Sequence, residues 1–509
     1  MRSIKKAAQI NLSSWANVNY FPLALALVFL LTGFIGISCH EMWRDELQAW
    51  MIARDNASFT SLAATVKYEG HPMIWYMGLY AITRFTHNPF AMQVYHILIA
   101  AAAIWLFARF SPFTKLQKVL FAFGFFPFYE YAIKSRGYAM GILLLFLFCV
   151  LYKNRSKQYV LISCILFLLC QTSALGLLIA ISLQAMLIYE ILSDRAVRQN
   201  INKIAVAVML IIFCVGVAAS LWQMMPPGDS SFAAKWHLQF DGLRMERVLS
   251  LLSRAYLCSP YYWCFDMASG VHQEEMLFLN LCLSAVLFLF LFMLFLRKPK
   301  VLFLYIFSIA VFVTFFYVKY AGFSWHHGHL YILLITCFWL SACCSDTAPR
   351  LAFFDKLSAI CTRYRTLLIT VILIIHFYQG VRVYAKDCFY PFSAAKETAQ
   401  FIKDNGLKDM LIAGDLDYAV SPIAGYLDKK IYYLREGRFA TYVQWDDRCQ
   451  EDYDAKKLRG EPVLQKRKSL LIVNGDLKAL PGYMTKVKEF TRAMVPDEKY
   501  YLYMLNFEN

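Results

Sequence analysis

A chain of 509 residues with 59% hydrophobic and 17% aromatic residues, and a mean hydropathy of +0.46, is too apolar for a large soluble enzyme and reads as a polytopic membrane protein. The formal net charge of +16 does not point to nucleic acid, because the basic residues are scattered through short segments between apolar runs. Of the 14 cysteines most fall inside apolar runs; Cys39, Cys258, Cys264, Cys388 and Cys449 do not, and they match no zinc or CxxC spacing, with a Cys258–Cys264 disulfide left open.

The uncharged run 20–38 has the roughly 20-residue length that spans a bilayer. The basic start MRSIKK would suit a cleaved leader. The polar lead-in is long, however, no Ala-x-Ala site follows, and Gly36 stands where a lipoprotein motif before Cys39 would want Leu, so the segment reads as a retained span. Further spans are expected at 72–86, 90–110, 119–132, 138–152, 159–171, 174–190, 204–222, 276–296, 301–317, 329–344 and 366–382, about twelve in all. The segments KNRSK, DRAVRQNINK, RKPK and RYR have the basic character of cytoplasmic loops. That assignment places 40–71, 129–137, 171–173, 226–275, 319–329 and the tail after Arg382 outside. One conflict remains: three spans separate His71 from Tyr129 where parity needs an even number, so 72–86 or 119–132 is re-entrant, split or miscounted.

In the long loop 223–275, Phe240, Leu243, Val248 and Leu251 alternate with Arg244, Arg247 and Arg254, the pattern of a helix lying on the membrane surface; a plain connector is the alternative. From Tyr384 onward the composition is that of a soluble domain: SAAKETAQFIKDNG forms a helix closed by Gly406, and short strands are expected at 410–413, 430–434, 469–473 and 500–505. Gly414-Asp415 and Gly475-Asp476 each follow a strand, but without a GxGxxG no nucleotide site is expected. The expected fold is mainly α, a polytopic transmembrane helical bundle of about 11–13 spans over residues 1–383, with a small extracytoplasmic α/β domain at 384–509.

Four polar clusters fall on the outer side. In HEMWRDELQAW, Trp43, Leu47, Trp50 and Met51 recur at helical spacing with Arg44, Asp45 and Gln48 opposite, as in an interfacial helix with tryptophans among the headgroups. A carboxylate held there suits general-base work on an acceptor hydroxyl or amine as a lipid-phosphate leaving group departs; the adjacent acids Asp45 and Glu46 also suit a divalent metal. YEGHPMIWY sets Tyr68, Glu69 and His71 at the mouth of a span beginning at Pro72. YEYAIKSRGYAM places Glu130, Lys134 and Arg136 near membrane level, and FSWHHGHLYIL places His326, His327 and His329 at a helix start, where they suit phosphate better than metal.

These clusters resemble the integral-membrane glycosyltransferases of the GT-C fold, in particular the branch of the lipid A aminoarabinose transferase and the protein O-mannosyltransferases. Asp45-Glu46 stand where that family carries an acidic pair in its first external loop. Glu69-Gly70-His71-Pro72 is similar to the Lys-Pro-Pro-Leu-type start of its second span, with His71 in place of lysine. Tyr131, Arg136 and Tyr138-Ala139 resemble its Tyr–Arg–Tyr-Ala-like element, and 325–330 its late basic motif. The resemblance implies a polyprenyl-phosphate-linked sugar as donor and an inverting transfer to an envelope lipid, glycan or protein on the extracytoplasmic face. It implies catalytic roles for Asp45, as base, and Glu46. It further implies donor-phosphate contacts from His71, Lys134, Arg136, His327 and His329, and substrate contacts from Arg44, Tyr68, Glu69 and Tyr138. A flippase or other lipid-linked-saccharide transporter should show repeated halves and mid-span charges. A glycan polymerase or ligase should lack the acid pair after the first span.

Overall fold

In the computed structural model the described residues are 19–231, 236–258, 276–347, 349, 351–447, 458, 460–465 and 468–507. Among them seven helices are long and apolar enough to cross a membrane: Phe21–Cys39, Phe90–Phe110, Ala174–Ser193, Lys203–Met224, Leu277–Phe295, Pro299–Val318 and Arg365–Phe389. The shorter apolar helices Tyr138–Tyr152 and Tyr159–Cys170 and the fully buried Ser324–Ser341 pack among them.

Of the twelve expected spans, seven lie on these long helices, 138–152, 159–171 and 329–344 lie on the shorter or buried ones, and 72–86 and 119–132 are corrected. The run 72–86 yields only the ten-residue helix Ile74–Thr83, about 15 Å long and so half of a bilayer core of about 30 Å. It packs against the helix Arg44–Asp55 instead of crossing. The run 119–132 is split: helix Lys115–Ala122 stops, and the chain resumes as a π-helix, Phe125–Ile133. Gly380 of the last helix lies on the break, where a Cβ would sit 2.5 Å from the Phe123 carbonyl oxygen. Pro127 offers no N–H to prolong the earlier ladder.

The basic segments gather at one end of the bundle. Arg155 and Lys300 share the Glu190 carboxylate, and Arg297 pairs with Asp355 at 2.6 Å. The polar clusters gather at the other end, beneath the C-terminal domain. Loop 223–275 carries the helices Gly242–Leu249 and Leu251–Leu257; Val248 and Leu251 bury against the bundle while Phe240 stays 81% exposed. Residues 259–275, with Cys264, and Cys449 lie outside the described residues.

The C-terminal domain holds a six-stranded sheet in the order β3-β2-β1-β4-β6-β5. Its strands are β1 Leu411–Gly414, β2 Ile431–Tyr433, β3 Arg438–Ala440, β4 Ser469–Val473, β5 Met484–Phe490 and β6 Tyr500–Leu505. β1 is parallel to β2 and β4, and the remaining pairings are antiparallel. The helix Ala395–Asp404 is closed by Gly406 at φ +67 as expected. β3 and β5 were not expected; β5 reads MTKVKEF, with 485–489 exposed, the charged composition that keeps an edge strand from pairing with another chain.

The helix Arg44–Asp55 is not interfacial. Leu47, Trp50 and Met51 are fully buried between Ile74–Thr83 and the C-terminal helix Asp417–Leu427. Gly425 makes room there, since a Cβ would lie 3.3 Å from the Met51 sulfur. The apolar face that suggested headgroup tryptophans is covered by protein instead of lipid.

Candidate active site

Asp45 and Glu46 are consecutive residues in the first turn of a helix, so their side chains diverge by about 100°. Glu46 points inward and is fully buried. Its Oε1 accepts from the Ser135 N–H at 2.6 Å, its Oε2 accepts from the Trp43 N–H at 3.4 Å, and the same oxygen lies 2.9 Å from His40 Nε2. The other His40 nitrogen lies 2.7 Å from Asp387, at the end of the last helix. Burial alone would lower the His40 pKa, but the Asp387 and Glu46 carboxylates outweigh it and raise it to about 10. Burial likewise opposes ionisation of Glu46, yet His40 and the two backbone donors hold its pKa below the usual value. Glu46 is therefore a buried anchor that joins the first loop, the last helix and the turn at Ser135. The two adjacent carboxylates, expected to act together, thus point in different directions, Glu46 into the interior and Asp45 away from it.

Asp45 points the other way, into a cavity of about 1910 Å³. Its carboxylate pairs with Arg136 at 3.0 Å. Arg136 stands in the turn after the π-helix, and Gly137 turns the chain at φ +76 in a place where a Cβ would meet Trp75 at 2.9 Å. The guanidinium lies over Trp325 at 4.9 Å, Tyr138 at 5.5 Å and Trp43 at 5.9 Å. Burial works against its charge, and the Asp45 carboxylate beside it restores it.

His71 and Glu69 line the same cavity. Burial, reinforced by the Arg136 charge, lowers the His71 pKa to about 4, so this imidazole is neutral at pH 7 and meets an anion as a hydrogen-bond donor, not as a cation. Burial raises the Glu69 pKa to about 8 even though Gln48 Nε2 donates to its Oε1 at 2.9 Å. Glu69 is thus an uncharged acid at neutral pH. A carboxyl whose folded pKa lies above its unfolded value loses stabilisation as pH rises through the folded pKa. Glu69→Gln is therefore expected to match the parent in thermal stability at pH 4, to gain on it as pH rises from about 4.5 to about 8, and to exceed it at pH 9. Equal melting temperatures at pH 4 and at pH 9 would rule out the buried neutral acid.

His326 completes the polar end. Its Nδ1 accepts from the Phe323 N–H at 2.9 Å, which leaves its proton on Nε2. Arg44, Tyr68 and Tyr138 also line the cavity; Arg44 pairs with Asp497 at 2.5 Å and the Tyr68 hydroxyl donates to Asp229 at 3.0 Å. All four polar clusters thus converge, but not through every residue expected. His327 Nε2 lies 2.8 Å from the Ala321 carbonyl oxygen and its ring packs on Phe316, while His329 lies 3.2 Å from the Tyr131 hydroxyl inside the bundle. Lys134 is buried and donates to Glu130 at 2.8 Å. None of these three, which were expected to contact phosphate, lines the cavity. A helix start turns adjacent residues in different directions, and of the three histidines the capping residue is the one that faces in.

The C-terminal domain supplies the outer wall through Tyr418, Val443, Trp445 and Asp497. Gln48 fixes this wall with two bonds, donating to the Val443 carbonyl at 2.6 Å and accepting from its N–H at 3.1 Å. No local motif marked these residues. The opposite end of the cavity is apolar, built from Leu178, Leu221, Met224, Phe307, Val311 and Phe315 on three of the long apolar helices. Among the described residues no group of three or more His, Cys, Asp or Glu is arranged to hold a metal ion. Comparison with protein-family models, curated proteins and solved structures returned no match.

Proposed function

We propose that the chain is a membrane glycosyltransferase that moves a sugar from a polyprenyl-phosphate donor to an envelope acceptor on the extracytoplasmic face. The observation that carries this is the Asp45–Arg136 pair at the polar end of a cavity whose other end is an apolar channel between long helices. An isoprenoid tail fits the channel, and its phosphate reaches Arg136, where the N–H groups of neutral His71 and His326 add uncharged donors. A phosphate on Arg136 competes with Asp45 for the guanidinium, and the freed carboxylate takes the acceptor proton. The acceptor oxygen or nitrogen then forms its bond to the anomeric carbon on the face opposite the breaking carbon–oxygen bond, and the polyprenyl phosphate leaves with the electron pair. No nucleotide sugar is required.

The test is reconstitution. Mass spectrometry of envelope glycolipids and glycans from cells with and without the gene identifies the acceptor, and purified protein in lipid nanodiscs is then supplied with that acceptor and a panel of polyprenyl-phosphate sugars. Transfer from at least one donor is expected; no transfer from any would overturn the proposal. In the same assay His71→Ala is expected to raise the donor KM by about tenfold, the loss of one hydrogen bond to a charged group, and to leave the acceptor KM unchanged. An unaltered donor KM would remove His71 from the phosphate site.

A further inference from the structure

The first and last long helices end at the same face of the bundle, in matched register. The Tyr384 hydroxyl donates to the Thr32 carbonyl at 2.9 Å. A Cβ on Gly36 would sit 2.7 Å from the Tyr384 ring, so the two backbones approach closely there. One turn further on, His40 meets Asp387 at 2.7 Å. Cys39 precedes His40 and lies three residues beyond Gly36, while Cys388 follows Asp387 and lies four residues beyond Tyr384. Helical spacing of three and four carries both thiols to the same seam. Both cysteines are free, Cys39 exposed and Cys388 partly so.

We infer that Cys39 and Cys388 are a disulfide site that staples the first helix to the last beside the buried His40–Asp387 contact. The inference goes beyond the proposed glycosyl transfer and does not depend on it. The oxidant is a disulfide compound, small or protein-borne. The Cys39 thiolate attacks one of its sulfurs to give a mixed disulfide, and the Cys388 thiolate then displaces the remaining sulfur. Two thiols are oxidised to the Cys39–Cys388 bond, the oxidant's disulfide is reduced to two thiols, and the protons of the two cysteines pass to the released sulfurs. The staple closes a loop that holds nearly the whole bundle, and it keeps the outer ends of the two helices at one spacing, the spacing on which the His40 contacts depend.

Full-length protein in lipid nanodiscs, incubated with oxidised glutathione, quenched with N-ethylmaleimide and digested, gives the measurement. A cross-linked peptide joining Cys39 to Cys388 is expected. It should disappear on reduction and be absent from Cys39→Ser and Cys388→Ser, and oxidation should raise the melting temperature of the parent by a few degrees without shifting either variant. Both cysteines recovered with N-ethylmaleimide or glutathione attached, and no cross-linked peptide, would overturn the inference. So would a cross-link that survives in either serine variant. Sugar transfer is not read in this experiment, so its outcome and that of the reconstitution assay are independent.

Discussion

Under the proposed glycosyl transfer, Asp45→Asn is expected to lower kcat by about 10²–10⁴-fold, the usual contribution of a positioned general base. The asparagine keeps the size and the oxygen that faces Arg136, so the cavity stays filled and one hydrogen bond to the guanidinium is preserved, but no proton acceptor remains. Because the Asp45 side chain is 29% exposed and Arg136 retains three aromatic faces, the melting temperature should change little. Donor binding should tighten slightly or stay constant, since the phosphate no longer competes with a carboxylate for Arg136. Asp45→Glu serves as the control: it restores the acid one methylene too far out and should recover part of the rate. Undiminished turnover by Asp45→Asn with donor and acceptor supplied would exclude Asp45 as the base.

Much of the layout was legible because membrane spans announce themselves by length and charge. The seven long apolar helices fall where the hydropathy put them, and four of six strands lie on apolar runs bounded by Gly, Asp and Pro. The two misread runs share one cause. Ile74–Thr83 and the broken stretch 115–133 are apolar because they bury against protein, and apolarity alone does not separate a lipid-facing helix from an internally packed one. The same ambiguity explains Trp50, whose indole suggested a headgroup anchor and lies under the C-terminal domain.

Of the residues that line the cavity, those carried by short polar motifs were legible in the sequence and those supplied by tertiary folding were not. Asp45, Glu69, His71, Arg136 and Tyr138 sit in dense polar clusters on one side of the membrane pattern, and the fold brings them to one cavity. Tyr418, Val443 and Trp445 arrive from a domain several hundred residues away, and no spacing rule links them to Gln48. Glu46 shows the reverse failure. Beside Asp45 in sequence it resembled a catalytic partner, yet the helical rotation of one residue places it in a buried ion cluster.

That cluster sets the second large effect. Glu46→Ala is expected to destabilise the protein by about 3–5 kcal/mol, the cost of breaking a buried ion pair from one side. The alanine strands the Ser135 and Trp43 N–H donors and leaves His40 with Asp387 alone. The effect should appear as a lowered melting temperature in nanodiscs that addition of donor does not restore. A catalytic Glu46 would instead lower kcat at an unchanged melting temperature, so the two roles separate in one pair of measurements. The pH dependence adds a second discriminant. His40 has a folded pKa near 10 against an ordinary 6.5, so the stabilisation it brings is fully present below about pH 6.5 and is lost as pH rises through 10. Glu46 has a depressed folded pKa, so its share is present above its ordinary 4.5 and is lost on acidification below that value. The melting-temperature gap between the parent and His40→Gln should therefore be widest near pH 6 and narrow steadily toward pH 10. Taking a difference between two proteins that both carry Glu69 cancels that residue's own alkaline loss. A gap that stays constant across this range would show that His40 is held neutral, and that Glu46 and Asp387 are not the anchors of the first loop.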